Sequence, residues 1–493
     1  MKRLLEDARR MIRINSVSAG GNEELANFVS LLLQDRGIKT QLQQVMHSLD
    51  GVSKRQFNLI GILGDPLVDR KTRKGLLLQT HLDTVSPGLP ENWTETGGDP
   101  FSTTIKDGKI FGLGAADAKI DFLCKAAAVE KFIERKLKQP VYLVGTCGEE
   151  LGMLGTKYLI KSVALNPKYV LVSEPSDLQL VYGHKAMAIF RVSIDFNVVE
   201  RDARGFDRRI DLHSYGRSAS AAAPGSGINA LHQILDFLRH AVAAGFEFRF
   251  KRIEGGDSAS KVPDRGFAEF YLSSHQFEDF KRFFRERVRL ENRERSFRVE
   301  LGGLGDMGIR FLPDELFHCV SDCAVYFRSL ADQFASTSDE SFDPPTSTAS
   351  FGAIKQRRAG MDLFFDLRLL PESSLEVFEK TILQGIQGIA SKYPSLNIAL
   401  HREGHNPGLS MNQNSDFVKV CRDAMTASSV PQKLVKRSTS TEAAQFFQAG
   451  YEALAFGPGP AVGNSRSPNE HNLLEHLEKA TAFYIKLIEK VCL

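Results

Sequence analysis

Acidic residues gather where apolar runs end in this sequence. His81 and Asp83 follow GLLLQT (75–80), Glu149 and Glu150 follow VYLVGT (141–146), and Glu174 follows YVLVS (169–173). Asp117 lies in the glycine-rich GLGAADAK (112–119). Brought to one edge, these five carboxylates would raise one another's pKa values, and a divalent cation resolves that cost. Histidine with Asp and Glu donors suits zinc, with manganese or cobalt as substitutes; magnesium alone would not call for the histidine.

The spacings suggest a division of labour. His81 and Asp83 are two apart on an extended segment, so both side chains project to one face and the Asp83 carboxylate can orient the imidazole from behind. Glu149 and Glu150 are adjacent, so at a strand end they diverge: one can hold metal while the other faces substrate as general base. That is the equipment of metal-assisted hydrolysis. Each residue also has a plain alternative: His81 as a core histidine, Asp117 as a helix N-cap, and Glu149 and Glu150 as a solvated strand exit.

Positioning these groups requires a sheet. The three runs above and ALAF (453–456) read as buried parallel strands, and helical patterns at 119–136 and 154–163 alternate with them. The expected fold is α/β, a doubly wound, mostly parallel sheet whose ligands bind beyond the carboxyl ends of its strands. Between the third and fourth runs lies a segment of different character, with alternating strands such as AMAIFRVSIDF and helices such as INALHQILDFLRHAV. It reads as an inserted α+β domain, giving a first catalytic segment at 1–180, the insert at 181–404 and a second catalytic segment at 405–493. Within the insert a strand, strand, helix, strand order occurs at 246–301 and again at 347–401, which suggests internal duplication, with the polar stretch 332–348 as the linker between the copies.

Composition narrows the function. The chain has 493 residues, 42% hydrophobic, with 63 Lys+Arg against 60 Asp+Glu, enough for two sizeable cores and without a basic tail. Disorder and fibre are excluded, and neither nucleic acid nor a membrane is the expected partner; the ligand should be small. The N-terminal MKRLLEDARRMIRINSVS mixes charges into its apolar positions, unlike a signal peptide, and the six scattered cysteines form no disulfide framework. A cytoplasmic location is expected. Cys319 and Cys323, beside His318, lie in a helical pattern and read as core rather than as a zinc knuckle.

Taken together, THLDTVSPG, FSTTIKDGKIFGLGAADAK, GTCGEELGMLGTKYL, SEP, GHKAMAIFRVSI, FGPG and SPNEH resemble, in order over nearly the whole chain, the acetylornithine deacetylase, succinyl-diaminopimelate desuccinylase and carboxypeptidase G family of dizinc amidohydrolases. The resemblance implies that His81, Asp117 and Glu174 form one zinc site, that Asp117 bridges to a second ion also held by Glu150, and that Glu149 is the general base. It implies that the insert is a ferredoxin-like lid or dimerisation domain and that Arg368 in FDLRLLP binds a substrate carboxylate, with a salt bridge inside the lid as the plain alternative. A homodimer is expected, or a monomer if the doubled insert mimics a partner.

Three positions depart from that pattern. Arg466 stands where the family has the histidine of the second metal site, Ser220 where a lid histidine stabilises the oxyanion, and Ser260 where asparagine is common. A guanidinium cannot ligate zinc; it can instead fill the space of the second ion and pair with Glu150 and Asp117, leaving one zinc rather than two. His471 is a candidate replacement ligand, and His184 or His213 candidate oxyanion donors. The expected function is therefore a metal-dependent hydrolase cleaving the amide bond of a small N-acyl amino acid or short peptide; the alternative is a catalytically impaired relative that binds such a molecule in the same cleft. A nucleotide-binding reading is set aside because GLGAAD lacks the GxGxxG spacing.

Overall fold

The computed structural model describes residues 1–49, 52–65, 73–162, 165–197, 205–290, 296–302, 310–334 and 336–493. It divides into two units, one made of 1–184 with 406–493 and the other of 185–405. The end of the helical pattern at Val163, part of the first repeat at 291–295, and Ala335 of the polar stretch lie outside the described residues.

The first unit is built on a nine-stranded mixed sheet. Its centre is four parallel strands in the order Val141–Thr146, Leu76–His81, Tyr169–Ser173 and Glu452–Phe456. These are the four apolar runs, and the first three are buried along their whole length because the sheet is covered on both faces. The flanks are antiparallel: Lys39–Leu49 and Val52–Leu63 extend one side, and Leu180–His184 borders Glu452–Phe456 on the other. Helix Lys119–Glu130 packs against Leu474–Cys492 and Lys2–Arg13. The N-terminal helix buries Leu4, Ala8, Met11 and Ile12, so its mixed pattern is that of an amphipathic core helix. Among the described residues no helix is long and apolar enough to cross a membrane.

The second unit is an eight-stranded antiparallel sheet, and its topology explains the repeat. Arg208–Tyr215, Ala230–Ala243, Arg249–Gly255, Arg265–Leu272, Ser274–Leu290 and Phe297–Leu301 form a βαββαβ unit. Ala186–Asp195, Asp314–Phe334, Thr348–Arg357, Gly360–Leu369, Leu375–Ala390 and Asn397–Asn406 form another, with the first inserted after its opening strand. In both, the fourth strand lies beside the first, then the third, then the second, and the two second strands meet where Gly255 pairs with Ile354. The strand, strand, helix, strand order in the sequence is the tail of each copy; each also has an opening strand and helix. The polar stretch 332–348 is therefore not the linker expected between copies. It lies within one copy, between its first helix and second strand, where Lys185 Nζ donates to the carbonyls of Pro344 and Thr346 at 2.7 and 2.6 Å. Aromatic packing fills the core, with Phe248 and Phe270 centroids 4.7 Å apart and Phe280 edge-on to both. Cys319 and Cys323 are buried in Asp314–Phe334, and every cysteine of the chain is a free, buried thiol.

Candidate active site

His81 closes its strand at the carboxyl edge of the parallel sheet and is 1% exposed. Its Nδ1 lies 3.0 Å from the backbone carbonyl of Asp83 and its Nε2 2.9 Å from Asp117 Oδ1. Asp117 sits in the turn before Lys119–Glu130. The N-cap of that helix is Ala118, without a side-chain cap, so Asp117 serves His81 rather than the helix end. The turn is held from outside: the amides of Ala116 and Asp117 both donate to Glu470 Oε1, at 2.8 and 2.9 Å, and Asn472 Nδ2 donates to the carbonyl of Ala115 at 2.9 Å.

Asp83 works differently from the sequence expectation. Its backbone carbonyl, not its carboxylate, meets the imidazole; Oδ1 is 3.8 Å from Nδ1. The carboxylate accepts instead from Ser18 Oγ at 2.5 Å and from the amides of Glu149 and Glu150 at 3.1 and 3.2 Å. It therefore fixes the turn that presents the two glutamates. That turn explains a second correction. The strand ends at Thr146, so Glu149 and Glu150 lie beyond the pleat where neighbours alternate, and they converge rather than diverge.

They converge on Arg466. Its Nη2 is 3.0 Å from Glu149 Oε2, and its Nε is 2.9 Å from Glu150 Oε1 and 3.3 Å from Asp117 Oδ2. The three carboxylates are nearly buried, whereas the arginine side chain keeps 47% of its surface exposed. Burial pushes the Glu149 carboxyl up, with Arg466 opposing and the Asp117 and Asp83 charges adding to the rise. Glu150 and Glu174 rise well above the usual range, first from burial and then from neighbouring acids. Asp117 goes the other way: against burial, Arg466 and the imidazole hold it down to about 2. His81 is raised well above its ordinary value, because Asp117, Glu149 and Asp83 outweigh its burial.

Glu174 follows its strand directly, and the Arg466 loop starts beside it; a Cβ on Gly457 would stand 2.5 Å from the Glu174 carbonyl oxygen, so only glycine admits this approach. Among the described residues no three His, Cys, Asp or Glu side chains are gathered closely enough to hold a metal ion. The His81–Asp117 pair is in contact, and Glu174 is coupled to it electrostatically. A second ion shared by Asp117 and Glu150 does not fit, because the guanidinium already occupies both carboxylates. The donor types of His81, Asp117 and Glu174 and the remaining excess of negative charge are those that suit one divalent cation.

Other candidates lie elsewhere. His471 packs its ring 5.1 Å from Phe111, with Nδ1 3.3 Å from the Asn469 carbonyl. His184 belongs to the first unit rather than to the insert, and its Nε2 accepts from the Thr441 amide. In the second unit His213 lies 4.9 Å from the ring of Phe267, and Ser220 is exposed on a two-residue strand. Arg368 donates from Nε and Nη2 to both oxygens of Asp366, at 2.7 and 2.9 Å, and Ser260 Oγ donates to Asp366 Oδ2 at 2.8 Å. Arg368 is thus paired with Asp366 inside the second unit, and Ser260 is part of that pairing. Sequence reasoning missed Glu470 and also Glu442, whose buried carboxylate accepts from Thr156 Oγ1 at 2.6 Å and Thr146 Oγ1 at 3.2 Å, and from Gln79.

Known proteins share both the sequence pattern and the fold. Acetylornithine deacetylase of Proteus mirabilis is 27% identical over 280 residues, 52% of this chain and 63% of that one. The enzyme of the same name from Yersinia pseudotuberculosis is 28% identical, over 52% of this chain and 64% of that one. The chain thus spans 63–64% of the length of these curated relatives. Among solved structures, aminoacylhistidine dipeptidase from Vibrio alginolyticus superposes with a TM-score of 0.66 at 15% identity, covering 99% of this chain and 96% of that one. An M20 family metallo-carboxypeptidase from Sulfolobus solfataricus gives 0.60 at 16% identity, covering 100% and 99%. The two structures share the fold. The sequence pattern of peptidase family M20/M25/M40 matches residues 77–490, from the His81 strand through the Arg466 loop into the last helix, and the chain belongs to that family.

Proposed function

We propose that the chain is a hydrolase that cleaves the amide bond of a small N-acyl amino acid or a short peptide, using one divalent cation, zinc by preference, with Glu149 as general base. The observation that carries this reading is the placement of Glu149: a buried carboxylate of raised pKa, set by the Asp83 anchor beside the His81–Asp117 pair at the carboxyl edge of the parallel sheet. A cation bound by His81, Asp117 and Glu174 would supply Lewis acidity to the scissile carbonyl and acidify a water. Glu149 takes the proton of the attacking water and returns it to the leaving nitrogen. Asp83 keeps the Glu149 turn in place, and Glu470 keeps the Asp117 turn. The names of the relatives, deacetylase and dipeptidase, supply the substrate class.

A second reading, a relative that binds such molecules without turning them over, is favoured by one contact: Arg466 Nη2 lies 3.0 Å from the oxygen Glu149 would use as base. A panel of N-acetyl amino acids and dipeptides, assayed with zinc and with chelator, separates the two. Chelator-sensitive hydrolysis supports the first reading. Saturable binding by calorimetry without turnover, at any zinc concentration, supports the second.

A further inference from the structure

The loop from Gly457 to Leu473 is braced by side-chain bonds of its own. It is tied across itself by Asn464, whose Nδ2 donates to the carbonyls of Pro460 and His471 at 2.8 and 2.9 Å and whose Oδ1 accepts from the His471 amide at 3.0 Å. It is tied to the Asp117 turn by Glu470 and Asn472. None of these bonds involves Arg466, so the loop's path does not depend on its ion pairs. Yet Arg466 sits at φ 59°, a left-handed conformation that non-glycine residues adopt only where the surroundings impose it. The consequence of that strained backbone is a guanidinium whose Nε bridges Asp117 and Glu150 while Nη2 takes Glu149.

We propose that Arg466 is a resident counter-ion that limits the acid cluster to one divalent cation. This deepens the hydrolase reading and rests on it for the identity of the metal ligands. Asp83, Asp117, Glu149, Glu150 and Glu174 bring five potential negative charges. The guanidinium, which keeps its proton at every working pH, cancels one permanently and occupies the oxygens of Asp117 and Glu150 that a second ion would need. A second divalent ion would have to displace it and sit against its charge. One ion beside His81 leaves it in place. The guanidinium thereby does for Glu150 what a second metal would do, at fixed stoichiometry and without dependence on metal supply.

The test counts metal rather than turnover. Wild type, Arg466→His and Arg466→Met are saturated with zinc, dialysed and measured by elemental analysis, and their unfolding temperatures are recorded in chelator and in zinc. Wild type should hold no more than one equivalent, and Arg466→His, which restores a neutral donor, should gain one. Arg466→Met, which removes the charge and adds no strong donor, should unfold at lower temperature than wild type in chelator and recover more of that loss on zinc addition. Two equivalents in the wild type, or no gain in Arg466→His, overturns the proposal. If Arg466→His does not fold, the wild-type count and the zinc response of Arg466→Met decide. The outcomes separate from those of the hydrolase reading: a wild type that binds one zinc and hydrolyses nothing sinks the function and leaves the counter-ion, whereas a two-zinc hydrolase does the reverse.

Discussion

The acids at the strand ends of the first unit and the buried carboxylates of the second are treated in opposite ways, although elsewhere in the first unit Asp7 pairs with Arg36 at 2.6 Å and Asp121 with Lys125 at 3.2 Å. In the second unit the buried carboxylates have cationic partners of their own: Asp366 takes both prongs of Arg368, and Glu269 meets Lys251 at 2.9 Å and Arg209 at 3.3 Å. At those strand ends Glu149, Glu150, Asp117 and Glu174 share the Arg466 guanidinium and the His81 imidazole, with Arg437 also acting on Glu174, while Asp83 is held by a hydroxyl and two amides, and Glu442 by hydroxyls and an amide. A buried charge matched within the chain leaves nothing for an outside ion to neutralise, and removing its partner is costly because the remaining charge is uncompensated. A region that leaves negative charge unmatched at the ends of its strands is arranged for a cation and a substrate that come from outside, and its cost in stability is offset by the apolar sheet beneath it.

The largest expected effect tests the unmatched side. Glu149→Gln keeps the shape and removes the base, so kcat/KM should fall by about 10²- to 10⁴-fold. The unfolding temperature should stay level or rise, since one crowded acid is gone. A variant that is less stable but fully active would break the contrast, because it would make the cluster a structural ion network.

The matched side should show the reverse. Arg368→Leu leaves Asp366 buried without its partner and should cost about 3–5 kcal/mol in a urea titration. If instead stability holds and KM rises at least tenfold for substrates bearing a free carboxylate, Arg368 is a ligand-binding residue and the second unit is more than a scaffold.

The same contrast shows how much could be read from the sequence. Apolar runs located the four parallel strands, and the residues that follow three of them located His81, Glu149, Glu150 and Glu174, because burial on both faces and the edge of a parallel sheet both leave marks in residue order. Arg466 was legible as a departure from a family pattern. The contacts between side chains and backbone were not: nothing in the spacing of Asp83 says that its carboxylate holds the amides of Glu149 and Glu150, and nothing in SPNEH says that Glu470 reaches the amides of Ala116 and Asp117. The duplication was half visible. An insertion after the first strand of one copy carries that strand and its helix far apart in the sequence, so only the uninterrupted tail repeats.

Titration gives a smaller and subtler test. Burial raises the Glu442 carboxyl to about 7, so it stays neutral in the folded chain over a range where the unfolded chain ionises near 4.5. Its contribution to stability is therefore full below pH 4.5 and lost as pH rises through 7, a change on the order of 3 kcal/mol. His232 in the second unit, lowered to about 4 by burial and by Arg328, has the opposite sign: its contribution is full above 6.5 and lost as pH falls toward 4. Glu442→Gln should flatten the decline in denaturation midpoint between pH 5 and 8 and leave the acid limb untouched. An unchanged slope would mean that Glu442 ionises normally in the fold.

The smallest effect separates the two copies inside the second unit. Asn229 caps Ala230–Ala243 by accepting from the His232 amide at 3.0 Å, and its Nδ2 also donates to the Phe351 carbonyl at 2.8 Å, on a strand of the other copy. Ser374 caps Leu375–Ala390 through a single longer bond, from the Val377 amide at 3.4 Å. Caps of this kind contribute about 0.5–2 kcal/mol, and the bond between copies should place Asn229→Ala near the top of that range and Ser374→Ala near the bottom. Equal losses in a denaturant titration would show that the Phe351 bond adds nothing to the cap.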